Sequence, residues 1–231
     1  MLSMNARWPV LIACFFVLTG CAGMQNPKKA NLAHCTNQLK ATKAENYPLV
    51  LQESELCLQK NTLPASLKSL IYALQASAHS NLKQFPEAVA AKEKSIQLAA
   101  KPDGRANLDL SGMYRDAGNP KKALELVQYN LDNGLGETGK GAGFHMPTYY
   151  HLGLALTDLG QYREAAEAIS TGLERQPDYA WAYYARGIAY DHLGDRDDAK
   201  ADFLKFLSIV DKKYMQEEHK AKLAEYKISL P

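Results

Sequence analysis

A motif that recurs every 34 residues restricts the possible folds of this chain more than any other feature of its sequence. The clearest copy spans residues 146–179, and the next begins 34 residues further on. The first copy combines aromatic, aliphatic and small residues with a closing proline: Tyr149, Leu152, Gly153, Leu156, Gly160, Tyr162, Ala165, Ile169, Gly172 and Pro177. The second copy has Tyr183, Arg186, Gly187, Tyr190, Gly194, Ala199, Phe203 and Phe206. A unit this short cannot bury its apolar face alone, so the repeat predicts a stack of similar units.

Both copies resemble the tetratricopeptide repeat (TPR) consensus, Trp-x₂-Leu-Gly-x₂-Tyr followed by Ala-x₃-Phe and Ala-x₄-Pro. They depart from it at Arg186 and at Asp211, which stands where the consensus has proline. In this family each repeat is a pair of antiparallel helices, and successive pairs stack. The resemblance implies an all-α fold, a right-handed superhelical TPR solenoid.

Four glycines have expected structural roles in these two copies. Gly153 and Gly187 are expected where the two helices of a pair approach most closely, because a larger side chain would push them apart. Gly160 and Gly194 are expected to end the first helix of each pair in a left-handed conformation.

Weaker copies of the repeat lie upstream in the same register. One aligns on Ala123 and another on Ala88, and a degenerate unit with Val50 as its close-packing residue precedes them. Residues 212–228 have the dense polar face expected of a helix that covers the last repeat. We expect a solenoid over residues 31–228, with about four good repeats, one degenerate N-terminal repeat and a C-terminal capping helix.

The first twenty residues resemble a bacterial lipoprotein signal peptide. Arg7 supplies a positive charge, an apolar stretch follows over residues 8–19, and Leu18-Thr19-Gly20-Cys21 resembles a lipobox. An uncleaved membrane span is the alternative, but roughly 12 apolar residues are fewer than the about 20 that cross a bilayer.

The lipobox resemblance implies that residues 1–20 are removed and that Cys21 carries diacylglycerol and a further acyl chain. Two or more acyl chains hold a protein firmly to a membrane, whereas one anchors it only marginally. Residues 21–30 would then form a lipidated tether. Ala22 is not the aspartate that resembles an inner-membrane retention signal, which favours the outer membrane, with the protein facing the periplasm.

Two cysteines remain for the folded part of the chain, Cys35 and Cys57, because Cys14 leaves with the signal peptide and Cys21 is lipidated. In an oxidising periplasm, cysteines on adjacent helices of one hairpin can pair. The alternative is two buried free thiols that act as small apolar side chains.

Charge and motifs argue against several functions. Basic and acidic residues are nearly balanced and intermixed, so no field of one sign would recruit nucleic acid. The six histidines are scattered without metal-ligand spacing, and no catalytic constellation can be argued from the sequence. We therefore expect no enzyme activity, metal or cofactor.

A glycine-rich segment at residues 134–141 matches seven of the eight positions of a phosphate-binding loop. It lacks the hydroxyl that binds Mg²⁺, since Gly141 takes that position, and a helix is predicted before it instead of a strand. We expect no nucleotide binding and interpret residues 133–145 as a mobile loop. No segment is predicted to be a strand.

In TPR domains the first helix of each pair lines the concave surface. The corresponding positions predict a partner-binding groove with an aromatic patch and an acidic margin: Tyr150, Leu154, Asp158, Trp181, Tyr184, Ile188, Asp191 and His192, with Arg115 from the preceding repeat. The neighbouring Tyr183 falls at a packing position instead. Exposed aromatic groups on a concave surface suit an apolar peptide or helix. The alternative is that the C-terminal helix or packing between repeats buries several of these residues.

These observations predict a protein-protein interaction scaffold of the cell envelope with periplasmic or envelope protein partners. The chain is similar to outer-membrane TPR lipoproteins of pilus or secretin assembly, and to adaptors of peptidoglycan hydrolases. The alternative is an envelope enzyme or small-ligand carrier acting on peptidoglycan or a related substrate.

Overall fold

Nearly all of the regular structure in the described part of the chain is helical. The computed structural model describes residues 32–59, 63–101, 103–136, 139–140 and 144–230, the pair 139–140 by backbone only. The predicted signal peptide, Cys21 and the tether therefore lie outside the described residues. The helices in the described part are α1 (Ala33–Lys43), α2 (Tyr47–Leu58), α3 (Ala65–Asn81), α4 (Phe85–Leu98), α5 (Gly104–Asp116), α6 (Pro120–Asp132), α7 (Met146–Asp158), α8 (Tyr162–Arg175), α9 (Ala180–Leu193), α10 (Arg196–Ile209) and α11 (Glu217–Glu225).

Local sequence signals set where several helices begin. Four of them have proline in the first turn: Pro48, Pro86, Pro120 and Pro147. Proline lacks an N–H, but N–H groups of the first turn have no acceptor within the helix, so no hydrogen bond is lost there. Asn46 and Asn119 precede α2 and α6, and each side chain accepts a hydrogen bond from an N–H of the first turn.

Left-handed residues end the first helix of several pairs. Gly160 and Gly194 have φ of 77° and 83°, as the sequence predicted. At the equivalent turns of the first two pairs, Glu45 and Lys83 adopt φ of 55° and 59° although they carry side chains. Those two turns therefore hold a conformation that costs L-residues free energy.

The chain divides into two compact units, one with α1–α4 and residues 112–118, the other with residues 103–111 and everything from 119 onward. In the first unit α1 pairs with α2 and α3 with α4. Buried Gln38 of α1 donates to Ser54 of α2 and to the carbonyl of Ile71 on α3, so polar contacts as well as apolar ones fix these helices.

In the second unit, small residues allow α7 to approach α8 and α9 to approach α10. A Cβ on Gly187 would stand 2.7 Å from the Phe203 ring, and one on Gly153 would overlap Ile169. Ala165 and Ala199 on the facing helices are fully buried. The predicted close-approach role of both glycines is confirmed.

The C-terminal segment covers the last pair, as predicted. Helix α11 begins with a reciprocal cap between Gln216 and His219. Leu223 of α11 and Tyr226 after it are buried in one cluster with Phe203 and Phe206 of α10. The apolar face of the last repeat is thereby removed from water.

The segment after α6 differs from the sequence prediction. Two short antiparallel strands, β1 (Leu135–Gly136) and β2 (Gly139–Lys140), form where no strand was predicted. Leu135 is buried, and a Cβ on Gly104 at the start of α5 would overlap its carbonyl oxygen. The start of this loop is therefore packed against the helices, a long-range contact that its glycine-rich composition does not reveal.

Candidate protein-interaction surfaces

The first helical pair is crosslinked. Cys35 of α1 and Cys57 of α2 form a disulfide with their Cα atoms 5.1 Å apart. Both side chains are buried with Leu67 and Ile71 of α3. The crosslink thus lies inside the core of the first unit, where aliphatic side chains cover it.

The predicted groove residues of α7 are half-buried by the following repeat. The ring of Tyr150 lies 5.4 Å from that of Tyr179, between their centroids, and Leu154 packs against the cluster that contains Ala182 of α9. Asp158, one turn further along, is exposed at the end of α7. On this helix the groove positions serve largely as contacts between repeats.

On α9 the C-terminal helix covers the predicted aromatic patch. The rings of Trp181 and Tyr184 each lie 4.9 Å from the ring of His219 on α11. Burial, followed by the charge of nearby Glu218, raises the pKa of Tyr184 to about 12. Ile188 packs against the same cluster. These three groove positions are half-buried, which is the packing alternative described above.

His219 is a buried histidine held in its neutral form. Only 3% of its surface is exposed, and its Nδ1 accepts a hydrogen bond of 2.9 Å from the backbone N–H of Gln216. Burial lowers the pKa of His219, with the charge of Glu218 acting in the opposite direction. Protonation at Nδ1 would also break the cap of α11.

The acidic margin of the predicted groove is tied to the C-terminal segment. Asp191 accepts hydrogen bonds from the Tyr226 hydroxyl and from Lys222 Nζ at 3.2 Å. Burial works against ionisation, but these two bonds lower the pKa of Asp191 overall. His192 is exposed and stacks on Tyr162 with ring centroids 4.3 Å apart. Arg115, half-buried, belongs to the first unit.

Tyr183 and Tyr184 do not differ in burial as their repeat positions suggested. Both are half-buried. The Tyr183 hydroxyl donates to the Pro177 carbonyl at 2.9 Å, and the cations of Arg186 and Lys205 lie 5.7 and 5.9 Å from the centroid of its ring.

The departure from the consensus at Arg186 has a structural cause. Its guanidinium forms two hydrogen bonds of 2.8 Å with the carboxylate of Asp202 and a third with Ser170. Asp202 is buried between α9 and α10, and a bidentate partner satisfies its charge there. Arg186 therefore links α8, α9 and α10.

A groove that sequence analysis missed runs across α6, α7 and α8, with a volume of about 770 Å³. Its floor is apolar, formed by Leu124, Leu152, Leu156 and Ala168. Tyr129 stands beside it with half of its surface exposed. Four carboxylates line the groove: Glu125, Asp132, Glu164 and Glu167. The described residues that line it include no lysine, arginine or histidine. Each carboxylate lies at an ordinary solvent-facing helix position, so only the fold brings them together.

No described helix is long and apolar enough to cross a bilayer. No group of three or more histidine, cysteine, aspartate or glutamate side chains in the described part of the chain is arranged to hold a metal ion.

Comparison with known proteins identifies the repeat. The tetratricopeptide repeat family model matches residues 147–179 and 182–209. The protein called FK506-binding protein-like from Mus musculus is 33% identical over 107 residues, 46% of this chain and 31% of that protein. The chain thus spans about a third of the length of this relative.

Solved structures with the same fold cover most of the chain. A MamA structure aligns with a TM-score of 0.59 and 19% identity over 86% of this chain and 96% of its own. MamA from Desulfovibrio magneticus RS-1 gives 0.63 and 17% over 79% and 96%. YrrB, described as a TPR protein with an unusual peptide-binding site, gives 0.57 and 19% over 82% and 88%. The predicted all-α solenoid of TPR helix pairs is confirmed.

Proposed function

We propose that this chain is a non-catalytic scaffold that binds protein partners and is anchored to the periplasmic face of the bacterial outer membrane by lipid on Cys21. The observation that carries the proposal is the open groove over α6, α7 and α8, where a half-buried apolar floor has charged margins. Grooves of this composition suit a segment of another protein.

The fold supports the same function. Each TPR pair contacts mainly its neighbours, so surface residues can vary without disturbing a distant core. YrrB has the same fold and is described as having a peptide-binding site, which makes a peptide segment the most suitable ligand class for this chain.

The groove over α6, α7 and α8 is a better binding surface than the aromatic patch first predicted. Trp181, Tyr184 and Ile188 are half-buried and would become fully accessible only if α11 moved away, and Asp191 is held by Lys222 and Tyr226. A partner on the inner surface would therefore be limited to exposed groups such as Asp158 and His192.

The proposed anchor depends on the lipobox. Cys21→Ser should abolish labelling of the protein by a clickable fatty acid in its host and leave it unprocessed or released from the membrane. Labelling that persists in this variant would refute lipidation at Cys21.

Crosslinking of the lipidated protein in its host, followed by mass spectrometry, tests the scaffold function. We expect one or a few envelope proteins to be crosslinked to the wild type. Purified protein that instead turns over a peptidoglycan fragment, with no protein crosslinked in the host, would favour the enzyme alternative and refute the scaffold.

A further inference from the structure

The apolar floor of the groove over α6, α7 and α8 is half-buried at Leu124, Leu152 and Ala168 and buried at Leu156, and the groove above it is open. Leu156 belongs to a buried cluster with Ala165, and Leu124, Leu152 and Ala168 pack on its outer side. Tyr129 extends this surface with a ring that is half exposed. A patch of this kind, concave and bordered by polar groups, is typical of surfaces that bind another protein.

The two walls of the groove have the same charge. Glu125 and Asp132 lie on α6, and Glu164 and Glu167 lie on α8. None of the four forms an ion pair within the described residues, and Asp132 accepts only a neutral hydrogen bond from Gln128 at 2.7 Å. Four carboxylates without a cation among the lining residues give the groove a negative potential, which favours a cationic ligand.

We propose that this groove is the docking site for a cationic amphipathic segment of a partner protein. Apolar side chains of the segment rest on the leucine floor, while its lysines or arginines meet the carboxylates of α6 and α8. A volume of about 770 Å³ falls within the roughly 300 to 1,000 Å³ of typical ligand sites. This inference rests on the scaffold function and specifies its partner.

The groove is distinct from the concave positions that were predicted from the repeat. Two of its three helices, α6 and α8, are second helices of their pairs. A partner bound here leaves α11 docked on α9, so binding does not require the C-terminal helix to move.

Fluorescence anisotropy with a labelled amphipathic peptide of leucine and lysine tests the proposal. The chain begins at residue 21 and carries Cys21→Ser, so that neither lipid, detergent nor the apolar stretch of residues 8–19 competes for the peptide, and every described residue is kept. We expect Glu125→Lys together with Glu164→Lys to weaken binding about tenfold or more. The control pair Glu55→Lys and Glu174→Lys changes the net charge equally at exposed positions outside the groove, and should change affinity less than twofold.

Peptide variants test the two parts of the recognition separately. Replacing the leucines by serine, or the lysines by glutamate, should each abolish binding. Equal loss in the groove variant and in the control pair would show a nonspecific charge effect and overturn the proposal. Undiminished binding of the glutamate peptide would also overturn the proposal. So would a dimer of this chain that Glu125→Lys together with Glu164→Lys dissociates, because a second copy would then fill the groove.

Crosslinking in the host separates this inference from the proposed function. If the groove variant loses the partner and the control pair keeps it, both stand. If the groove variant keeps the partner, the scaffold function stands and the docking site is wrong. Circular dichroism should show melting temperatures within a few degrees of the wild type for both variants, because all four substituted side chains are exposed and reversing the charge of Glu164 in the first turn of α8 costs only about 1 kcal/mol.

Discussion

Removing the side chain of Leu223 should detach the C-terminal helix from the last repeat. Leu223 of α11 is fully buried in the cluster that contains Phe203 and Phe206. Leu223→Ala removes three carbon atoms, which at about 0.8 kcal/mol per methylene costs about 2.4 kcal/mol of transfer free energy. The cavity that remains raises the loss to about 3 to 4 kcal/mol, within the usual range for buried leucines.

The loss should appear first as local opening, because the contacts described for α11 are with α9 and α10. In protein produced without residues 1–20, Trp181 is the only tryptophan, and it contacts His219 on α11. Its fluorescence during urea unfolding therefore reports docking of that helix. We expect Leu223→Ala to shift its emission to longer wavelength and to lower the transition midpoint.

Leu204→Ala is the matched control. This leucine on α10 is 49% exposed, and its loss should change stability by no more than about 0.5 kcal/mol. If Leu223→Ala lowers stability by less than about 1 kcal/mol, the described docking of α11 is incorrect. It is also incorrect if Leu223→Ala, like the control, leaves the emission of Trp181 unchanged.

Three further predictions concern single features of the fold. Thiol titration of unfolded, unreduced protein should find no free thiol at Cys35 or Cys57, and two titrated thiols would contradict the crosslink. Reduction of the disulfide should lower the free energy of unfolding by about 3 kcal/mol, because the unfolded chain then regains the entropy that the closed loop had removed. Burial lowers the pKa of His219 in the folded protein, so the unfolded state binds a proton at this histidine more readily. The contribution of the buried neutral imidazole to stability is therefore present above about pH 6.5, the pKa of an unfolded histidine. It is lost as the pH falls towards the folded-state pKa. Urea unfolding from pH 8 to pH 5 should show that loss, and His219→Asn should remove it; an unchanged pH dependence in the variant would assign the loss to other groups. Lys83→Gly should remove the strain of a left-handed lysine and stabilise the protein by up to about 1 kcal/mol in thermal melts. The control Lys200→Gly, inside α10, should lower stability by about 1 kcal/mol. A destabilised Lys83→Gly variant would refute the turn conformation.

The repeat made the helical pairs predictable because its positions correspond to local contacts. A residue such as Gly187 is required by the ring that faces it, Phe203, sixteen positions further along the same hairpin. The capping helix was predictable for a related reason, since the last repeat must cover an apolar face.

The surfaces were less predictable because they depend on which elements meet. Trp181 and Tyr184 occupy positions that line a groove inside an array, but the last repeat is followed by α11, which brings His219 onto both rings. The acidic groove was missed because Glu125 and Glu164 are far apart in sequence, and only the packing of α6 near α8 places them on one groove.

The disulfide of the first pair has a mechanical consequence if the proposed anchor holds the protein at its N-terminus. Tension from that anchor would enter the fold at α1, and the covalent bond would carry it directly from Cys35 to Cys57, which are 22 positions apart. About 75 Å of chain, at roughly 3.4 Å per extended residue, is thereby protected from being pulled out. Force applied by a moving partner would instead reach the non-covalent contacts beyond Cys57, so the hairpin next to the anchor is the last that pulling would unravel.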